Sequence, residues 1–310
     1  MLFRTIAILV ASAVLIGTAA PVVAAAPTEF VITPNGSSGK TETAIPSLRT
    51  VKKTIATYYG DPGTGIADKK TSPYIDEMTT LLDAQTAKLP GIYEKAVAAG
   101  EKPAIVFDVD DTTLLTYDME VGAYDYDFDR ATKNRWIRQA KFAAVPGMVA
   151  YVEAAASAGF EIFGLTGRGI DTKKATLRNL EKVGFTQFSS DKFYTKRDRS
   201  YVTCAKAKCT TVEYKAYTRK HIEKLGYDIA LTVGDQWSDL KGGYSDRTLK
   251  LPNPLYFLSS PNLPGVRQGY LRPRTEFTME RDGSSGLTEG GEGIPNHDAV
   301  VAMIRVAKKN

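Results

Sequence analysis

The chain has 310 residues, of which 43% are hydrophobic and 24% charged; this is ordinary globular usage and excludes a largely disordered or membrane-embedded protein. The formal charge of +5 is spread without a long basic block, so a nucleic-acid polymer is not an expected partner. Two histidines, His221 and His297, and two cysteines, Cys204 and Cys209, are too few for a binuclear metal phosphatase or a four-ligand zinc site.

Residues 1–26 have the layout of a secretory signal peptide. Arg4 precedes an apolar run from Thr5 to Gly17, and Ala24-Ala25-Ala26 offers small residues for cleavage. A retained anchor is the alternative, but the apolar run is short and no second long one follows. The expectation is a secreted, extracellular protein with no membrane segment after cleavage, its formal charge falling from +5 to +4 with the loss of Arg4. Residues 27–46, rich in Thr, Pro, Gly and Ser, read as a flexible leader.

The folded body is expected over 47–260. Leu48, Val51, Ile55 and Tyr58 keep helical spacing, as do Ile75, Met78 and Leu82 behind a Ser72 cap and Pro73. Ala104 to Asp108 reads as a buried strand. Met148, Val149, Val152 and Ala155 mark a helical face, and Phe160 to Leu165 the next strand. Leu177, Leu180 and Val183 mark another helix, Val212 to Leu225 a third, and Ile229 to Val233 a further strand. This βαβα alternation predicts an α/β fold, a parallel sheet flanked by helices, with ligands beyond the carboxyl ends of the strands. Residues 261–310 read as a C-terminal extension, loop-like apart from a short helix over 297–308. Cys204 and Cys209, outside a reducing compartment, are candidates for a local disulfide; two free thiols are the alternative.

Four segments carry chemistry. In Phe107-Asp108-Val109-Asp110-Asp111-Thr112-Thr113 an apolar strand runs into three carboxylates, whose mutual repulsion calls for a cation or a raised pKa. Asp108 and Asp110 read as nucleophile and proton donor, with a calcium loop or a solvated turn as the plainer alternative. Thr166 and Gly167, in Leu165-Thr166-Gly167-Arg168-Gly169, could donate a hydroxyl and turn amides to phosphate oxygens, although such a turn often merely starts a helix. Lys215 could hold a phosphoryl group from its helix, where most lysines are simply solvated. Asp235, in Val233-Gly234-Asp235-Gln236-Trp237-Ser238-Asp239, would complete an oxygen-rich magnesium shell, with Asp239 as a further acidic contact.

The order nucleophile, hydroxyl, lysine, acid at successive strand ends resembles the four motifs of the haloacid dehalogenase (HAD) superfamily, and the acid two residues after the nucleophile resembles its phosphatase branch. Phe107 to Thr112, Trp136 with Ala144 to Pro146, Phe160 to Arg168, Thr176 to Gly184, Tyr214 with Lys215, Gly226 to Leu240 and Leu251 to Leu258 are similar to the acid phosphatase subfamily. That subfamily includes class B enzymes and plant vegetative storage proteins. The resemblance implies a Rossmann-like HAD fold with N-terminal helices and a small cap or insert. It implies Asp108 as nucleophile, Asp110 as acid/base, Thr166 and Lys215 as phosphoryl contacts, and Mg2+ on the Asp108 carboxylate, the Asp110 carbonyl and Asp235. The expected substrate is a small phosphate monoester; a nucleotidase or phosphotransferase on the same fold, or a catalytically silent storage or binding protein, are the alternatives. The segment 198–211 and the tail after Pro261 match none of this pattern, and the sequence is silent on oligomeric state. Tyr117, Tyr124, Tyr126, Phe128 and Trp136 could form an aromatic lid over a leaving group, with packing of the insert as the plainer reading.

Overall fold

The computed structural model describes residues 48–196, 201–202 and 209–255, together with the backbone of 276–278. The signal peptide, the leader, Cys204 and the C-terminal helix over 297–308 lie outside the described residues.

Three helices precede the sheet: α1 (Leu48–Tyr58), α2 (Pro73–Thr86) and α3 (Leu89–Ala98). Ser72 caps α2 as its sequence suggests, its hydroxyl accepting from the Ile75 amide at 3.3 Å with Pro73 in the first turn. Then follow β1 (Pro103–Phe107), β2 (Leu114–Leu115), α4 (Tyr117–Glu120), α5 (Arg130–Gln139), β3 (Ala143–Ala144), α6 (Met148–Ser157) and β4 (Glu161–Thr166). The chain continues through α7 (Lys173–Lys182), β5 (Phe193–Thr195), α8 (Thr211–Lys224), β6 (Asp228–Gly234), α9 (Trp237–Leu240), β7 (Arg247–Lys250) and β8 (Glu276–Thr278).

The main sheet has the order β5-β4-β1-β6-β7-β8. Five strands are parallel, as the alternating pattern predicts, and β8 adds an antiparallel edge on β7. β1 lies at the centre, so the chain steps outward in one direction through β4 and β5, then returns to the other side through β6. The two neighbours of β1 therefore bring their carboxyl ends beside Asp108.

Alternation along β1 divides the interior into two cores. Ile105 and Phe107 join Met78 and Leu82 of α2 and Met148, Tyr151, Val152 and Ala155 of α6. Ala104 and Val106 turn the other way, onto Phe163, Leu165, Tyr214 and Ile222 under α8. A strand buried on both faces reads as an unbroken apolar run, and that is why Pro103–Phe107 is legible from sequence.

Between β1 and β4 the chain makes its insert. The short antiparallel pair β2–β3, with Leu114 opposite Ala144 and Leu115 opposite Ala143, closes the base through which the insert leaves and returns. The N-terminal segment clasps it from outside. Lys52 of α1 pairs with Asp125 at 2.7 Å, Asp118 accepts from the Ala67 amide at 2.9 Å and from Lys69, and the Tyr117 hydroxyl donates to Asp61 at 2.9 Å. Gly65 and Gly122 touch backbone to backbone: a Cβ on Gly65 would lie 2.5 Å from the Gly122 Cα. Among the described residues no helix is long and apolar enough to cross a membrane.

Candidate active site

β1 ends at Phe107, and the next residues wind into a tight loop. The Thr112, Thr113 and Leu114 amides all donate to the Val109 carbonyl, and Asp111 takes a left-handed φ of 55°. The Asp111 carboxylate turns inward to accept from the Thr116 amide at 2.8 Å and the Thr116 hydroxyl at 2.5 Å. Burial pushes its pKa up to about 7. The third carboxylate of the motif is thus a brace for the loop, which leaves Asp108 and Asp110 free of that task.

Asp108 is buried at the strand end, its amide donating to the Val233 carbonyl of β6 at 3.0 Å. Its carboxylate accepts from Lys215 at 2.5 Å, and Lys215 also donates to Asp239 at 2.7 Å. Lys215 reaches this position because α8 starts firmly: Thr210 and Glu213 form a reciprocal capping box, and Lys215 follows two residues later. Burial raises the Asp108 pKa well above the usual carboxylate range, Lys215 opposes that rise, and Asp239, Asp235 and Asp110 add to it. Burial alone would lower the Lys215 pKa, but Asp108 and Asp239 together raise it, so the ammonium stays charged.

Asp235 follows β6 and is fully buried. It accepts from the Thr112 hydroxyl at 3.1 Å and from the Asn253 side-chain amide at 2.9 Å, and its own amide donates to Thr112 at 3.1 Å. Asp239 folds back on the same turn, accepting from the Gln236 amide at 2.9 Å. Gly234 is required there, since a Cβ would stand 2.5 Å from that of Asp239. Ligand oxygens of Asp108, Asp235 and Asp239 all lie within 4.8 Å of one another. Three carboxylates, facing the Lys215 ammonium and the pull of the buried Lys250, outnumber the cations beside them in a buried, all-oxygen cluster. That donor set and that charge fit a hard divalent cation such as Mg2+.

Asp110 faces elsewhere. One carboxylate oxygen accepts from Arg168 Nε at 3.0 Å and Nη2 at 2.6 Å, and the other pairs with Lys133 of α5 at 3.0 Å. Burial alone would raise its pKa, but Arg168 and then Lys133 more than offset that and hold it well below the usual carboxylate range. Thr166 is fully buried at the end of β4, its hydroxyl accepting from the Arg168 amide at 3.1 Å. The neighbouring Gly167 faces open space, since a Cβ there would meet nothing within 4 Å.

The structure therefore brings together Asp108, Lys215, Asp235 and Asp239, with Thr166 and Gly167 on the adjoining strand end. The Asp110 carboxylate stands outside the metal-type cluster. Sequence reasoning gave no role to Arg168, Lys133, Thr112 or Asn253. Arg168 stood inside the Thr-Gly-Arg turn and Asn253 inside Leu-Pro-Asn-Pro, but neither residue type announces which carboxylate it serves. Of the five insert aromatics, Tyr117 and Tyr124 are buried, Tyr126 lies against Lys52, and Trp136 tilts on Phe142 at 6.0 Å; Phe128 alone is well exposed, edge-on to Tyr124 at 5.9 Å. Packing of the insert accounts for most of them.

The chain is similar to known proteins. The family model described as HAD superfamily, subfamily IIIB (Acid phosphatase) matches residues 64–259. The "Stem 28 kDa glycoprotein" of Glycine max is 30% identical over 61% of this chain and 73% of its own. "Acid phosphatase 1" of Solanum lycopersicum is 30% identical, over 54% of this chain and 65% of its own. "Vegetative storage protein 2" of Arabidopsis thaliana is 32% identical, over 50% of this chain and 56% of its own. The chain thus spans less than two thirds of the latter two. Among solved structures, the class C acid phosphatase from Bacillus anthracis aligns with a TM-score of 0.44 at 22% identity, over 61% of this chain and 71% of that one. A match covering more than half of the sequence, on a parallel sheet whose central strand ends in Asp108, places this chain in the HAD superfamily, subfamily IIIB, the acid phosphatases.

Proposed function

We propose that this acid phosphatase hydrolyses small phosphate monoesters in two steps, with Asp108 as nucleophile and an aspartyl-phosphate between them. The observation that carries the reading is the setting of Asp108. It lies at the carboxyl end of the central strand, buried, hydrogen-bonded to Lys215 and facing Asp235 and Asp239.

The substrate phosphoryl group would lie between the Asp108 carboxylate and the Thr166–Gly167 turn, with the Lys215 ammonium beside its oxygens. The Asp108 carboxylate attacks phosphorus as the ester oxygen leaves, and Asp110 delivers a proton to that oxygen. Since Arg168 and Lys133 keep Asp110 ionised at rest, Asp110 first takes that proton from the phosphoryl group of the substrate, which enters as its monoanion. Asp110 then takes a proton from the water that attacks the aspartyl-phosphate and passes it to the departing phosphate, so that Asp108 and Asp110 both return to their starting state. The carboxylates of Asp108 and Asp235, with the Asp110 carbonyl, would hold Mg2+, and Asp239 would steady Lys215. When bound, the ion neutralises phosphoryl oxygens and lets two anions approach.

Export belongs with this reading: the signal peptide over 1–26, the leader over 27–46, the phosphatase domain over 47–260 and a Cys204–Cys209 disulfide describe a protein of an oxidising compartment. The storage-protein relatives suggest a silent alternative. Retention of Asp108 and Asp110, with Lys215 in place, weighs against it, because a storage protein has no use for buried carboxylates held at this cost.

Hydrolysis of p-nitrophenyl phosphate by the mature protein tests the proposal. Activity is expected with Mg2+, lost with EDTA, and reduced by at least about 10³-fold in a folded Asp108→Asn variant. Retained activity in that variant would remove the nucleophile assignment, and no activity in the intact protein across pH and several esters would favour the storage reading.

A further inference from the structure

The Asp110 carboxylate is more tightly held than a group at a substrate mouth needs to be. Arg168 supplies two hydrogen bonds to one oxygen, and Lys133 engages the other at 3.0 Å. Arg168 is itself fixed from two further directions. Its third nitrogen donates to the Thr176 hydroxyl of α7 at 3.0 Å, and its guanidinium plane lies over the Phe142 ring at 5.1 Å. Phe142 in turn is gripped by Asn179, which donates to its carbonyl at 2.8 Å and accepts from its amide at 3.0 Å. Thr176, Asn179 and the Arg168 side chain are all inaccessible to solvent. Ordering a long arginine side chain this fully has an entropic cost, and a surface ion pair would not offset it. The whole chain of contacts ends on one carboxylate oxygen.

We infer that Arg168 is a positioning residue for the reaction, locking the Asp110 carboxylate in the orientation from which it serves the leaving oxygen, with Lys133 of the insert completing the clamp. The inference rests on the proposed acid/base role of Asp110. Three separate segments meet there, the loop after β1, the turn after β4 and the insert helix α5, so the clamp also ties the insert to the chemistry.

A positioning role has a signature that a phosphate-binding or purely structural role lacks. Proton delivery matters for a poor leaving group such as an alkoxide and little for p-nitrophenolate, and it is worth about 10²- to 10⁴-fold when it matters. Arg168→Met is expected to lower kcat for an alkyl phosphate by about 10²-fold or more. The same variant should change kcat for p-nitrophenyl phosphate by less than about 5-fold, leaving KM and inhibition by inorganic phosphate nearly as they were. Lys133→Met, at a partly exposed site, is expected to show the same split at smaller size. Equal losses on both esters, or a rise in KM and in the phosphate inhibition constant, would make Arg168 a phosphate ligand and overturn the inference. An Asp110→Asn variant run alongside separates the two layers. If it shows no dependence on leaving group, the acid/base role of Asp110 fails; if it shows the split and both clamp variants do not, the role of Arg168 fails alone.

Discussion

Two acidic trios sit at opposite ends of the same sheet. At the carboxyl ends of the strands, Asp108, Asp235 and Asp239 are all buried. Near the amino ends, Glu101, Asp228 and Asp246 are as close to one another, yet only Asp228 is buried, and two of them line a surface hollow with Gly100, Lys102, Glu223, Gly226 and Tyr227. Proximity of carboxylates is the same in both, so proximity cannot be what makes a site. The carboxyl-end trio differs in being enclosed, in sharing the Lys215 ammonium between two of its members, and in having Asp235 fixed by Thr112 and Asn253. Water screens the amino-end trio cheaply, whereas the enclosed one must be neutralised by a specific partner.

The largest effect expected from this contrast is on metal binding. Saturating Mg2+ should raise the melting temperature of the intact protein by about 5 to 10 °C, the shift that binding at a hundred times Kd gives a domain of this size. Asp235→Asn is expected to abolish that shift and most of the activity, while Asp246→Asn keeps both. A thermal scan with and without Mg2+ decides it. If Asp246→Asn removes the shift and Asp235→Asn keeps it, the two ends have been assigned the wrong way round.

A smaller effect separates the ligand from its support. Asn253→Leu leaves all three carboxylates in place but takes away the amide that fixes one oxygen of Asp235. Supports of this kind typically contribute about 10- to 100-fold to metal affinity. The expected outcome is a rise of that size in the Mg2+ concentration giving half-maximal activity, with kcat recovered at high Mg2+. An unchanged requirement would mean that Thr112 alone orients Asp235.

The same contrast explains what the sequence could reveal. Asp108, Thr166 and Asp235 were legible because each lies at or just past the end of a buried strand, and a buried parallel strand writes itself as an apolar run that stops abruptly at a polar residue. Lys215 was reached only through its order among the other motifs, since nothing local marks a lysine as buried. The partners of these residues were not legible, because they are relations across long sequence separations: Arg168 meets Asp110 from 58 residues away and Thr112 meets Asp235 from 123. Elements were missed for related reasons. α5 buries only Ile137, so it shows no apolar stripe, and β7 is four residues long with two basic side chains, one of them, Lys250, buried.

The smallest effect concerns the core behind the carboxyl-end site. Glu77 of α2 accepts from the Tyr58 hydroxyl at 2.6 Å, and burial pushes its pKa up from 4.5 to about 7, with Tyr58 and Lys250 opposing the shift. Lys250 is pushed the other way, down to about 8, by its own burial, against the pull of Asp235, Asp239 and Glu77. A carboxyl whose folded pKa lies above its unfolded value binds its proton more tightly in the native state. Its contribution to stability is full below about pH 4.5 and is lost as pH rises through about 7. Glu77→Gln keeps an acceptor for Tyr58 and removes the charge, so its stability should match the parent near pH 5 and exceed it at pH 8. The gain should be about 1 to 2 kcal/mol, allowing for the partial exposure of Glu77 and its attraction to Lys250. Urea unfolding at the two pH values measures it; a parallel pH dependence in both proteins would assign the loss to other groups, the buried Asp108 foremost.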